Sequence, residues 1–214
     1  MGLKTIIFDF GGVILDIDPQ ITIKEFEKLG ITDSRLFQKP DFINQVIRKF
    51  ERGILTPEAF RDKIRTYTNK DVTNQQIDDA WNALLFDIPA ERIEVIEQVK
   101  KHYKILLLSN SNEIHYDLYV RDLQLRFGYN EFDELFDKAY FSFDLHLSKP
   151  NPDIYEFVMN QHKLVPEETL FIDDNIDNIN AAKSFGWKTY HLIAPERIRD
   201  IFTDGKLKNE VKID

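Results

Sequence analysis

The chain has 214 residues, 43% hydrophobic and 30% charged, with 28 Lys and Arg against 37 Asp and Glu, for a formal net charge of -9. That length allows one large domain, or a domain with an insert, and a sizeable core. The acidic balance disfavours a nucleic-acid or anionic-membrane partner, and the absence of cysteine excludes disulfides, thiolate zinc sites and Cys nucleophiles.

No apolar run approaches the ~20 residues of a membrane span. The N-terminus enters a strand with no signal-peptide pattern. Met1-Gly2 opens like a myristoylation signal, but Ile6 stands where Ser or Thr is required. The expectation is a cytoplasmic protein with no membrane partner. Thr5-Ile6-Ile7-Phe8 reads as a short buried strand of β-branched and aromatic residues, running into Asp9 and broken by Gly11-Gly12. A carboxylate at the C-terminal end of a strand, before a glycine turn, is where open α/β sheets place their chemistry. On this stretch alone Asp9 reads equally well as a turn former.

After the polar turn Asp16-Ile17-Asp18-Pro19 no buried strand is expected until about Pro89. Helical spacing marks Ile23, Phe26 and Leu29, then Phe42, Val46, Ile47 and Phe50. Thr56-Pro57-Glu58 is a helix start, with an N-cap hydroxyl, proline at N1 and an acid in the first turn. Thr73 with Gln76 fits a capping box ahead of Ile77, Ala80, Trp81 and Leu84.

From Ala90 helices and strands alternate. A helix with Ile93, Ile96 and Val99 leads to the strand Ile105–Leu108, ending at Ser109-Asn110. A helical region with Leu118 and Leu125 precedes a strand at Ala139-Tyr140-Phe141. Asn151-Pro152-Asp153 opens a helix, and Leu170-Phe171-Ile172 is a strand ending at Asp173-Asp174. Ile176, Ile179 and Ala182 line a helix closed by Gly186. Thr189 to Leu192 is a last strand, and the polar tail Asn209–Asp214 is expected to fray. The alternation predicts an α/β fold with a doubly wound parallel sheet.

In such a sheet the strand ends share one edge, so Asp9, Ser109-Asn110, Asp173-Asp174 and the loop Lys149-Pro150 are predicted to meet in one crevice. Three carboxylates there repel one another unless a cation joins them, and oxygen-only ligands suit Mg²⁺. Lys149 can neutralise a phosphate or hold Asp9 ionised, and Ser109 and Asn110 can donate to phosphate oxygens. Singly, these elements also read as a strand-end turn, a solvated loop and a helix cap. Their order, each at a predicted strand end, carries the reading.

The four motifs, Phe8-Asp9-Phe10-Gly11-Gly12-Val13, Leu108-Ser109-Asn110, Lys149-Pro150 and Phe171-Ile172-Asp173-Asp174-Asn175, resemble those of the haloacid dehalogenase superfamily over essentially the whole chain. Phe10-Gly11-Gly12, Asp16-Ile17-Asp18, Glu51-Arg52-Gly53 and the run Asp173–Asn178 look closest to bacterial sugar-1-phosphate phosphatases, including α-D-glucose-1-phosphate phosphatases. The resemblance implies a Rossmann-like core over 1–15 and 90–214 and a helical C1 cap over 16–89. It implies a Mg²⁺-dependent phosphatase for a small phosphate ester, a sugar phosphate above all. Asp9 would be nucleophile and metal ligand, with the Gly11 carbonyl, Asp174 and Asp173 as further ligands. Ser109 and Asn110 would hold the phosphate, Lys149 would neutralise nucleophile and phosphate, and Asn178 would orient the lysine.

Two positions depart from that pattern. Phosphatases of this kind usually carry a second Asp two residues after the nucleophile as general acid and base, where this chain has Gly11. His146 also stands at a loop position where a small residue is expected. The gap at Gly11 predicts a preference for low-pKa leaving groups. Equal handling of alkyl and aryl esters would point to another acid, with Asp16 and Asp18 the nearest in sequence. The same gap keeps open a 2-haloacid dehalogenase, whose halide needs no proton, and a phosphometabolite-binding protein that has lost catalysis. Specificity is expected in the cap and around His115 and Tyr116. His102, His162 and His191 read as ordinary surface or packing residues.

Overall fold

A computed structural model describes residues 2–33 and 35–214. Met1, in the expected core segment, and Ser34, in the expected cap segment, lie outside them. Five strands make one parallel sheet: β1 (Thr5–Phe8), β2 (Lys104–Ser109), β3 (Lys138–Phe141), β4 (Thr169–Asp173) and β5 (Lys188–His191), in the order β3-β2-β1-β4-β5. β1 is central, with Thr5–Phe8 in register with Lys104–Leu107 on one side and Thr169–Ile172 on the other.

Helices α1 (Pro19–Lys28), α2 (Pro40–Phe42), α3 (Arg48–Glu51), α4 (Pro57–Arg65), α5 (Asn74–Asn82) and α6 (Ala90–Lys100) separate β1 from β2. α7 (Glu113–Phe127) and α8 (Phe132–Leu135) follow β2, and α9 (Ser142–Leu145) and α10 (Pro152–His162) follow β3. α11 (Ile176–Ser184) follows β4, and α12 (Ile198–Ile201) leads into a small hairpin of β6 (Phe202–Thr203) and β7 (Lys206–Leu207) that no sequence signal announces.

Side chains alternate across the sheet, as the period of two requires. Ile6, Phe8, Leu107 and Ile172 join Ile96 and Val99 of α6 in one cluster. Ile7, Leu106, Leu108 and Phe171 join Val158 of α10 and Ile179 of α11 in another. Both faces are covered, which is why these strands read as continuous apolar runs. The doubly wound parallel sheet is thus the one predicted.

Helices α1 to α5 pack around a cluster of their own. Phe26, Phe42, Phe50, Phe60 and Trp81 meet there, with Ile114 of α7 added from below. Phe50 and Phe60 stack at 4.2 Å. The predicted starts hold: Thr56 caps Ala59, and Thr73 and Gln76 form the capping box. One winding differs from the plain helix expected over 41–50. Ile43–Ile47, between α2 and α3, is π-helical. The wider turn sets Ile43 and Ile47, four residues apart, into one cavity, while Phe42, Val46 and Phe50 stay in the cluster.

The chain enters and leaves this helical segment at one point. Asp18 N donates to Leu84 O (2.8 Å) and Phe86 N to Asp16 O (3.2 Å), with Ile17 and Leu85 paired antiparallel between them. The C-terminal tail is not frayed as expected. Asp214 exchanges backbone hydrogen bonds with Thr189 of β5 (3.0 and 3.1 Å), and its carboxylate accepts from Lys183 Nζ (2.7 Å). Val211 and Ile213 pack on the core, so two apolar residues in a polar stretch suffice to hold it. Among the described residues no helix is long and apolar enough to cross a membrane.

Candidate active site

The site lies at the C-terminal edge of the sheet, where β2 and β4 flank β1. The order places β1 and β4 at the switch point, since the chain first builds β2 and β3 to one side and then returns to the other. Asp9 follows β1 directly and is buried, with its N–H donating to Ile172 O (2.8 Å) across the sheet. Lys149 reaches in from the loop before α10. Its Nζ donates to Asp9 Oδ1 (2.6 Å) and Asp173 Oδ2 (2.7 Å). One oxygen from each of Asp9, Asp173 and Asp174 lies within 4.8 Å of the others. The predicted convergence of strand ends is observed.

The charge balance of this cluster is unequal, with three carboxylates against one buried ammonium. Burial, opposed by Lys149 and reinforced by Asp173 and Asp174, pushes the Asp9 carboxyl up to about 7. Asp174 is raised by burial and then by Asp173. Lys149 moves up as well, because Asp173 and Asp9 outweigh the burial that would lower it. An excess of negative charge, offered by oxygens alone, is the environment that a hard divalent cation fits. Asp173 is the most firmly held of the three. Asn178 Nδ2 donates to both its oxygens (3.0 and 3.1 Å), and Asn175 N donates to Oδ1 (2.8 Å). Asn178 therefore bears on Lys149 through Asp173, which accepts from both.

Gly11 and Gly12 bring the main chain under the cluster. Gly12 has φ +79°, and a Cβ there would stand 2.1 Å from Asp174 Oδ2. Only a bare α-carbon leaves room for that carboxylate. Ser109 is buried, and among the described residues its hydroxyl makes only a long contact of 3.4 Å to Asn110 O. Asn110 is more committed than its reading as a phosphate donor implied. Its Oδ1 accepts from Lys149 N (2.9 Å) and its Nδ2 donates to Lys149 O (2.8 Å), so the side chain clasps the lysine's peptide units.

A cavity of about 460 Å³ opens beside Gly11, Ser109 and Asn110, under Trp81 and the π-wound turn. His115, near which specificity was expected, lines it. It stacks on Trp81 at 5.1 Å, and its Nδ1 pairs with Asn82 Oδ1 (2.7 Å). Tyr116 does not line this cavity, but turns away against Phe132, Phe141 and Phe143. His191, read as ordinary, contacts the main-chain carbonyl Asp174 O through Nε2 (2.9 Å) and so ties down the backbone of a site residue. His146 takes a left-handed conformation (φ 56°), and its Nδ1 contacts Arg52 O (2.8 Å). Glu51, Ser111 and Ser142 also belong to the site's surroundings. No local sequence signal marks Ser142, whose partner Glu51 is 91 residues away.

A family model described as haloacid dehalogenase-like hydrolase matches residues 3–186. The D-ribitol-5-phosphate phosphatase of Bacteroides thetaiotaomicron is 29% identical over 188 residues, spanning 88% of this chain and 91% of that protein. The (S)-2-haloacid dehalogenase 4A of Burkholderia cepacia is 24% identical over 201 residues, spanning 89% and 83%. Neither is named for a sugar 1-phosphate. A solved HAD family enzyme of B. thetaiotaomicron, in complex with magnesium and inorganic phosphate, superposes with a TM-score of 0.86 at 33% identity, covering 94% of this chain and 100% of that one. With its acidic cluster at the strand ends of such a core and a lysine reaching in from the loop before α10, this chain belongs to the haloacid dehalogenase-like hydrolases.

Proposed function

We propose that the protein is a Mg²⁺-dependent phosphatase of small phosphorylated sugars or polyols, working through an aspartyl-phosphate on Asp9. The observation that carries this reading is the triad of carboxylates around Lys149, one of them buried at the end of the central strand. The similarity to a D-ribitol-5-phosphate phosphatase supports the substrate class. A dehalogenase attacks carbon and needs no metal, and Asp173 and Asp174 would only repel its nucleophile. In this reading residues 1–15 and 90–214 form the catalytic core and 16–89 the cap.

Each residue then has a task. Asp9 attacks phosphorus in line, displacing the ester oxygen. Lys149 holds Asp9 ionised and offsets charge on the equatorial phosphate oxygens. The Ser109 hydroxyl is free to donate to one of those oxygens, and Asn110 keeps the lysine loop in place. Asp9, Asp173, Asp174 and the Gly11 carbonyl would hold Mg²⁺, which supplies charge neutralisation when bound.

The test is a release screen over sugar and polyol phosphates, with and without Mg²⁺, beside 2-haloacids without metal. Phosphate release that requires Mg²⁺, and its loss in Asp9→Asn by at least about 10³-fold with the melting temperature retained, is the expected outcome. Halide release without metal would replace this reading by the dehalogenase, and tight binding without turnover by the non-catalytic protein.

A further inference from the structure

The ester oxygen that leaves from phosphorus needs a proton, and Gly11 has no side chain to give one. The two acids nearest in sequence are engaged elsewhere. Both oxygens of Asp16 accept from Arg92 Nη2 (2.9 Å each), with Arg197 Nη2 at 3.6 Å. Asp18 caps α1, its Oδ1 accepting from Gln20 N (3.0 Å). We propose that Glu51, at the end of α3, is the proton donor to the leaving-group oxygen. The inference rests on the phosphatase reading above and adds the acid that reading lacks.

Glu51 lines the same cavity as Gly11, Ser109 and Asn110. Among the described residues its carboxyl takes part in no hydrogen bond and no ion pair, so both oxygens are free for a ligand. Its main chain, by contrast, is fastened to the catalytic side of the molecule. The Ser142 hydroxyl donates to Glu51 O and also accepts from Ser111 N (2.9 Å), on the loop that follows Ser109. Arg52 Nε and Nη2 donate to His146 O (3.0 and 2.9 Å), and His146 Nδ1 returns a contact to Arg52 O (2.8 Å). Gly53 has φ +61°, and a Cβ there would stand 2.3 Å from Phe143 O. Three consecutive residues, Glu51-Arg52-Gly53, are thus clamped to the rim of the sheet. The clamp explains His146 at its unexpected loop position. Its outcome is an unpartnered carboxyl presented on a fixed backbone.

The protonation state suits the task. Burial pushes Glu51 up to about 7, against a smaller downward pull from Arg48 one turn earlier. The other titratable groups around the cavity, His115 and Tyr119 of α7, are both kept neutral by burial. A carboxylic acid that still holds its proton near neutrality is the form a leaving group requires. As Asp9 forms its bond to phosphorus, the bond from phosphorus to the ester oxygen breaks. That oxygen keeps the electron pair and takes the Glu51 proton, so the alcohol departs and Glu51 remains a carboxylate. The water that cleaves the aspartyl-phosphate then returns a proton to Glu51, and ester plus water has become alcohol plus phosphate.

The test compares kcat/KM on an alkyl phosphate and on p-nitrophenyl phosphate, with Mg²⁺, for the wild type, Glu51→Gln and Glu51→Asp. This parameter stops at formation of the phospho-enzyme and so isolates the protonated step. Glu51→Gln is expected to lose on the order of 10²-fold or more on the alkyl ester and little on the aryl ester, whose leaving group needs no proton. The wild-type alkyl rate should fall as pH rises through about 7, and that basic limb should vanish in Glu51→Gln. Glu51→Asp should keep the limb at a lower rate, and carries the same comparison should Glu51→Gln fail to melt cooperatively. Equal losses on both esters, or a limb that survives in Glu51→Gln, would overturn the assignment while leaving the phosphatase intact. A wild type that hydrolyses neither ester would overturn the phosphatase reading itself, and the assignment with it.

Discussion

Gly11 and Gly12 are neighbours, yet a side chain has opposite consequences at the two positions. At Gly11 a Cβ would meet only Ile17, at an ordinary 3.5 Å. Gly11→Asp is therefore expected to melt close to wild type, and to restore alkyl-ester turnover when added to Glu51→Gln. At Gly12 a Cβ would collide with the Asp174 carboxylate, on a backbone that already disfavours L side chains. Gly12→Ala is expected to raise the Mg²⁺ concentration for half-maximal activity by about tenfold or more, as displaced metal-site groups do; a Mg²⁺ titration of turnover checks it. The carboxylates themselves were readable in the sequence, because each follows an apolar run and strand ends gather at one edge. Glu51-Arg52-Gly53 was legible as a matching stretch, but not as part of the site's surroundings, since Ser142 and His146, which fasten it there, lie more than 90 residues away.

Among the elements, α7 couples the core to the helices above it. Its cap Asn112 accepts from both His115 N (3.1 Å) and Trp81 Nε1 (3.2 Å), so one side chain ends a turn and holds the overlying indole. Burial lowers His115 to about 3, and the unfolded chain protonates it near 6.5. Its contribution to stability is complete above pH 6.5 and is lost progressively as pH falls from there towards 3. Glu51 acts in the opposite sense. Its folded value, about 7, lies above its unfolded 4.5, so the fold gains stability as pH falls through that window. Thermal melts from pH 7.5 to 4.5 should accordingly show a flatter acid decline in His115→Gln and a steeper one in Glu51→Gln than in wild type. The helices were legible from spacing and caps, as at Thr56 and Thr73. The π turn at Ile43–Ile47 was not, because an extra residue per turn leaves the apolar pattern nearly unchanged. Nor was the pairing of Asp214 with Thr189, which uses backbone groups that every residue carries.

For the molecule as a whole, the connection between its two packed regions rests on Arg92. The guanidinium is only 2% exposed, donates to Asp16 and to Val13 O (3.4 Å), and leaves Nε without a partner among the described residues. Asp16→Asn would strand that charge inside the protein. We expect a loss of about 1–2 kcal/mol in chemical denaturation, less than for a fully buried pair because Asp16 is 40% exposed and asparagine keeps an acceptor for the guanidinium. The β-sheet is indifferent to what lies between Asp16 and Phe86. Those two residues are already hydrogen-bonded neighbours, and a tight turn could close the gap where residues 17–85 now stand. In the language of modular construction, the helical segment comes and goes through a single doorway, and its other ties to the core are side-chain fastenings such as Arg52 to His146 and Trp81 to Asn112. It can be exchanged for a longer, shorter or differently shaped piece with no strand changing place, so new substrates can be reached by swapping what covers the catalytic edge and leaving the edge alone.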